Sequence, residues 1–272
     1  MKEIIIRSFS GLLYILLLLI SFKFQIALIT VLFVFGIVCI VEFNRLIQLK
    51  SLVPYILFIV LYVVFGYWQL SSNSRGLDES TQILTVLSIF VNLFLIKDLF
   101  STKTIPLFSS KRYLLTTFYL SSSFVFLILI AHFHEEYNPY ILFGTFILVW
   151  TNDTFAFIVG KKFGRQKLFE KISPKKTVEG FMGGLFFSCI ASYFIATFAQ
   201  TLSFTNWLIL SIIISVFGTL GDLIESKFKR QANVKDSGAI MPGHGGLLDR
   251  LDSIILAAPF IYLFLRILQY VS

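Results

Sequence analysis

The chain has 272 residues, of which 57% are hydrophobic and 14% charged, with a mean hydropathy of +0.84. Soluble domains carry about 25% charged residues, so this composition excludes one and leaves an integral membrane protein with no room for a separate soluble domain. The net charge of +8 does not point to nucleic acid; it reflects the basic bias of membrane-protein loops, with attraction to anionic lipid and nucleotide as a further use.

A spanning helix needs about 20 mostly apolar residues. Apolar runs fall near 8–22, 24–43, 52–70, 82–96, 113–132, 140–160, 179–201, 206–223 and 253–271. The expected fold is therefore an all-α polytopic membrane protein of about nine transmembrane helices. It forms one transmembrane domain over 1–272, with about five helices in 1–138 and the polar, catalysis-bearing helices and loops in 139–272. The first run, Met1 to Phe22, has a basic start like a signal peptide. No small-x-small cleavage site follows and the next apolar run begins at once, so it reads as a retained helix. Cys39 and Cys189 lie inside apolar runs and read as packing residues, not a disulfide framework.

The basic residues give an orientation. Of 23 Lys and Arg, 20 fall at the N-terminus or in even-numbered loops, Lys23 and Arg75 fall in odd loops, and Arg266 lies near the end of the last helix. The positive-inside bias then expects a cytoplasmic N-terminus. Loops 161–178 and 224–252 share that side. On the opposite side His132 and His134 stand near Glu135 and Glu136, which reads as a wet interfacial loop in preference to a metal site.

Residues 222–252 hold five carboxylates, five basic residues, one His and four Gly, the densest polar stretch of the chain. If the eighth helix continues past Asp222, then Asp222, Ser226, Lys229 and Arg230 share a face. A carboxylate and a hydroxyl one turn apart can share a cation, and a Lys-Arg pair suits phosphate oxygens; a solvated helix end with ordinary salt bridges is the alternative. Asp249 and Asp252 share a face at the start of the last helix, where the helix dipole alone would favour them. Together with Asp222 they form a candidate hard-cation site, and magnesium prefers one or two carboxylates plus substrate phosphates. Between them, Gly243-His244-Gly245-Gly246 could bring backbone N–H groups to phosphate. Lys235-Asp236, inside the cluster, is a candidate for substrate contact.

In the other loop, Lys175 and Lys176 are candidate phosphate ligands or plain positive-inside residues, and Thr177 suits the N-cap of the seventh helix. Gly180-x-x-x-Gly184 suits helix packing, within one chain or between two. Asp153, beside Asn152 in an apolar run, is a functional candidate with a partner expected from loop 161–178.

The arrangement resembles the signature of the phosphatidate cytidylyltransferases, or CDP-diacylglycerol synthases. Ser226, Lys229, Arg230, Lys235, Asp236, Gly238, Pro242, His244, Gly245, Gly246, Asp249, Arg250 and Asp252 stand at the family's spacing, preceded by Gly221-Asp222 and Glu225. Met241 replaces the usual Leu, Ile or Phe. Upstream, 153–157, Gly160, Phe163-Gly164 and 173–180 are similar to a second family block, with Phe157 where Tyr is commoner. The match is specific over about 150–252.

The resemblance implies transfer of a cytidylyl group from CTP to phosphatidic acid, with a divalent cation, usually magnesium; whether a second cation shares the carboxylates is open. For that chemistry Asp222 and Asp249 are expected to hold magnesium, with Asp252 beside or behind them. Lys229, Arg230 and Arg250 would bind phosphates, Ser226 and His244 would orient the reacting groups, and Lys175 and Lys176 would contact CTP or the lipid phosphate. Asp153, Lys235, Asp236, Gly245 and Gly246 would complete the substrate site. Phosphatidate is already ionised near neutral pH, so no strong base is required. Expected partners are CTP, phosphatidic acid and the bilayer, with no nucleic acid; the oligomeric state, a homodimer included, is open. The expected location is a bacterial cytoplasmic membrane with the site facing the cytoplasm. A CTP-dependent lipid kinase, and in another class a cation or solute transporter, are the alternatives.

Overall fold

In the computed structural model, residues 2–71, 78–133, 137–241, 243 and 245–271 are described. Nine helices run through them. They are α1 (Lys2–Ser21), α2 (Gln25–Leu46), α3 (Val53–Ser71), α4 (Asp78–Phe100) and α5 (Ser109–Ala131). There follow α6 (Tyr140–Phe163), α7 (Val178–Ala199), α8 (Phe204–Gln231) and α9 (Leu248–Val271). Seven are long and apolar enough to cross a membrane; the apolar stretches of α1 and α3, Ser10–Ser21 and Val53–Gly66, are shorter. Nine spans were expected, and among the described residues seven helices meet the length. The protein is an all-α polytopic membrane protein apart from one small hairpin, described below.

The most enclosed helix is α5. Its Phe124, Val125, Phe126, Leu127 and Ile130 are fully buried. Its middle, Leu115–Ser121, is wound as a π-helix, and the hydroxyls of Thr116, Ser121, Ser122 and Ser123 each donate to a carbonyl one turn back. In a medium without water every backbone polar group needs an internal partner. Pro259 inside α9 removes the N–H that would serve the Ile255 carbonyl. Ser123 Oγ on α5 lies 2.7 Å from the Ile255 carbonyl and 2.6 Å from the Tyr119 carbonyl, so its one hydrogen is shared between them and stands in for the missing donor.

Aromatic contacts tie the N-terminal helices to α8. Phe43 of α2 meets Phe228 edge-on at 5.2 Å and Tyr119 of α5 at 5.6 Å. Lys227, buried on α8, points its ammonium at the C-terminal end of α4, donating to the carbonyls of Asp98 (2.6 Å), Leu99 (3.3 Å) and Ser101 (2.8 Å). Gln231 exchanges two hydrogen bonds with the backbone of Ile105. These contacts explain why α8 runs eight residues beyond its apolar stretch: its charged end is held inside the protein and needs no lipid-like surface.

Helices α6 and α7 lie very close. A Cβ on Gly180 would come within 2.7 Å of the Ala156 carbonyl, and one on Gly184 within 2.7 Å of the Asn152 carbonyl. The Gly-x-x-x-Gly therefore packs two helices of the same chain. Between α6 and α7 the chain forms an antiparallel hairpin, β1 (Lys167–Phe169) against β2 (Ser173–Thr177). Glu179 accepts from the N–H groups of Arg165 (2.9 Å) and Gln166 (3.1 Å), fixing the exit from α6. Thr177 caps α7, its Oγ1 accepting from Gly180 N at 3.1 Å.

On the opposite side, His132 corrects the expectation of a wet loop. It is buried, with Nδ1 at 2.8 Å from the Ile128 carbonyl and Nε2 at 2.8 Å from Gln25 Nε2. Burial lowers its pKa below the ordinary imidazole value. His134, Glu135, Glu136 and Arg75 lie outside the described residues.

Candidate active site

Five elements converge on one cavity of about 580 Å³, α7 entering it through Gly180 and Phe181. Helix α6 contributes Asp153, Phe157 and Gly160, the hairpin contributes Lys167, Lys175 and Lys176, α8 contributes Thr219 and Asp222, and α9 contributes Asp249, Arg250 and Asp252. Phe157 and Phe181 give it an apolar wall. The size lies in the range of small-molecule sites, roughly 300–1,000 Å³.

The carboxylates are brought together by close helix packing. Gly221 lets α8 lie against α9: a Cβ there would be 2.5 Å from the Asp252 carbonyl and 3.0 Å from Leu256 Cβ. Asp222, the next residue, therefore sits near Asp252. Asp222 Oδ2 pairs with Lys176 Nζ at 2.5 Å, and its Oδ1 accepts from Ser226 Oγ at 3.2 Å. The face-sharing expected of Asp222 and Ser226 is thus present, and Lys176 joins it from the hairpin. Asp252 is 8% exposed, with Oδ1 accepting from Ser253 N at 2.7 Å. Asp153 Oδ1 accepts from Asn152 Nδ2 at 3.3 Å; its expected basic partner from loop 161–178 takes the form of a shared cavity with Lys175 and Lys176.

Asp249 is held differently. Its Oδ1 accepts from Lys229 Nζ at 2.6 Å, and its Oδ2 accepts from Ser237 N and Oγ, each at 3.0 Å, and from Gly246 N at 2.7 Å. Lys229 is buried between two acids, Glu225 at 2.5 Å and Asp249 at 2.6 Å. Its ammonium faces these carboxylates and does not line the cavity. Arg230 turns away too, donating to the carbonyls of Ile172 (3.4 Å), in the turn of the hairpin, and Val234 (3.2 Å), just past α8. Lys235 and Asp236 are exposed, and neither they nor Ser226 line the cavity.

The glycine-rich loop also departs from the expected phosphate cradle. Met241 N donates to the Gly245 carbonyl at 3.0 Å, closing a turn in which Gly243 and Gly245 have φ of 77° and 88°. Those left-handed conformations favour glycine. The N–H of Gly246 goes to Asp249, and those of Leu247 and Leu248 go to Glu42 at 3.2 and 2.8 Å. A protein carboxylate thus satisfies the donor that Gly246 was expected to offer to phosphate. His244 and Pro242 lie outside the described residues.

Glu42 is the residue that sequence reasoning missed. It is fully buried on α2, 205 positions before Leu247. The available signal was an acid inside an apolar run, which in a membrane protein marks a functional candidate.

No three His, Cys, Asp or Glu among the described residues are grouped so as to hold a metal ion by themselves. Asp249, expected to hold magnesium with Asp222, has both oxygens engaged by Lys229, Ser237 and Gly246; Asp222 and Asp252, on packed helices at the same cavity, are the carboxylates that suit a cation taking one or two of them and completing its shell with substrate phosphate oxygens.

A model described as the cytidylyltransferase family matches residues 3–268. The chain belongs to this family. Among the similar cytidylyltransferases is the phosphatidate cytidylyltransferase of Bacillus subtilis, 40% identical over 154 residues, which are 56% of this chain and 57% of that one. Proteins of the same name from Staphylococcus saprophyticus and Staphylococcus aureus are 51% and 48% identical over 128 residues, 46% of this chain and 48% of theirs. The matched stretch is thus about half the length of these relatives. Family membership displaces the transporter alternative.

Proposed function

We propose that this cytidylyltransferase joins CTP and phosphatidic acid to give CDP-diacylglycerol and pyrophosphate. The observation that carries the reading is one cavity holding Asp153, Asp222 and Asp252 together with Lys175, Lys176 and Arg250, against an apolar wall. Two polyanionic reactants need positive charge and fixed geometry more than they need a base. A phosphate oxygen of phosphatidate attacks the α-phosphorus of CTP, the bond from the α-phosphorus to the bridging oxygen breaks, and pyrophosphate leaves with that electron pair. Phosphatidate enters already ionised, so no residue has to accept its proton.

Lys175, Lys176 and Arg250 would bind and orient the phosphates, and Phe157 and Phe181 would face the lipid. Asp222 and Asp252 would hold magnesium, with Asp249 alongside and Asp153 shaping the pocket. When bound, the ion neutralises phosphate charge and polarises the α-phosphoryl group. Asp249, through Lys229 and Ser237, would fix the start of α9. The basic bias of the loops supports a site facing the cytoplasm, where CTP is found.

The test is pyrophosphate release by the purified protein in detergent with phosphatidic acid, CTP and magnesium. Release that needs all three, with a CDP-lipid product, upholds the proposal. Release of CDP would make the protein a lipid kinase, and no release by folded protein that binds CTP would refute the assignment of phosphatidate.

A further inference from the structure

We infer that Glu42, on α2 in the N-terminal half, is a positioning residue of the active site. It holds the loop 237–248 so that α9 opens with Asp249, Arg250 and Asp252 toward the cavity. The inference deepens the proposed transferase reading, and its kinetic arm rests on that reading.

Glu42 is 0% exposed, and both oxygens are used. Oε1 accepts from Leu247 N at 3.2 Å. Oε2 accepts from Leu248 N at 2.8 Å and Ser237 Oγ at 3.1 Å. A buried carboxylate is costly unless hydrogen-bonded throughout, and here the donors come from both ends of the loop. The loop is shaped around it: a Cβ on Gly246 would lie 2.5 Å from Glu42 Oε2, and one on Gly238 would run into Oε1. One hydroxyl separates Glu42 from the cavity. Ser237 Oγ lies 3.1 Å from Glu42 Oε2 and 3.0 Å from Asp249 Oδ2, and its single hydrogen serves either. Asp249 lines the cavity. A shift of Glu42 is therefore passed to Asp249 through Ser237 and to α9 through two backbone bonds.

Glu42→Gln tests this with almost no change of shape. An amide has one acceptor oxygen, so whichever way it is turned, its NH₂ faces the N–H of Leu247 or Leu248 and one backbone bond is lost. Two readouts are needed, amide hydrogen exchange by mass spectrometry and steady-state kinetics. The expected result is exchange over 237–248 faster by about 10–100-fold, as follows from losing one hydrogen bond to a charged group. Exchange in α6 and α7 should be unchanged. The expected kcat falls at least about tenfold while KM for CTP stays within about threefold, the pattern of lost orientation. Ser237→Ala, which keeps both backbone bonds, is expected to fall between Glu42→Gln and wild type and carries the test if Glu42→Gln does not fold. Unchanged exchange over 237–248 overturns the inference, and so does faster exchange with unaltered kcat. If wild-type protein shows no turnover, the transferase reading falls, and the exchange result alone upholds or overturns the Glu42 clamp.

Discussion

Gly221 and Gly218 lie one turn apart on α8 and both face α9, yet they should respond very differently to one methyl group. A Cβ on Gly221 would stand 2.5 Å from the Asp252 carbonyl oxygen, a backbone atom that cannot rotate away. A Cβ on Gly218 would stand 3.4 Å from Ser253 Cβ, an ordinary contact. To reach an ordinary separation, Gly221→Ala must part α8 from α9 by about 1 Å at the level of Asp222 and Asp252, and a misplacement of that size can cost about 100-fold in rate. Overpacking of this kind also costs about 1–3 kcal/mol of stability. The expected result is a fall in kcat of about 10–100-fold for Gly221→Ala in protein that remains folded, with Gly218→Ala within about twofold of wild type. Pyrophosphate release measures the rate, and thermal melting in detergent separates misplacement from unfolding. Equal behaviour of the two variants would refute the argument that Gly221 sets the spacing of the carboxylates.

Three further outcomes are expected. Asp252→Asn should lower turnover by at least about 100-fold and raise the magnesium concentration needed for half-maximal rate, whereas Lys176→Ala should mainly raise KM for CTP; a magnesium titration of each variant checks both. Ser123→Ala should destabilise by about 1–3 kcal/mol by orphaning the Ile255 carbonyl, and by at least about 1 kcal/mol less when Pro259 is also replaced by Ala, because the restored N–H serves that carbonyl; strict additivity in the double-mutant cycle would refute the pairing. His132 has its pKa lowered in the folded protein, so its contribution to stability is complete above the unfolded value of about 6.5 and is lost as pH falls from there through the folded value. His132→Gln should flatten that part of the melting profile relative to wild type.

The membrane helices were readable because a spanning segment must be apolar over its length, and every expected run coincides with a helix. Their ends were less readable where charge is satisfied internally. Glu225, Lys227 and Lys229 look like a helix terminus leaving the membrane, yet they are buried within α8 because each has a partner. The hairpin at 167–177 was hidden behind its lysines, which fit positive-inside loops equally well. In the candidate site, residue types were informative and directions were not. Asp153, Lys175, Lys176, Asp222, Asp249, Arg250 and Asp252 do line one cavity. The signature residues Lys229, Gly245 and Gly246 are spent inside the protein on Asp249, Glu225 and the turn, a distinction that depends on contacts from distant parts of the chain. Glu42 lies in an apolar run far from the polar stretch, and only the folded arrangement joins them.

The long reach of Glu42 has a consequence for biosynthesis. Its partner Ser237 lies 195 residues further along the chain. At about 5–20 residues per second, roughly 10–40 s pass between synthesis of the carboxylate and the emergence of its first donor. Throughout that interval the N-terminal helices are inserted with an acid that has no final partner, and the carbonyls at the end of α4 likewise wait for Lys227. The site is thus closed only when the last helices arrive. Nascent chains arrested before α9 should carry an exposed polar defect that marks them as unfinished.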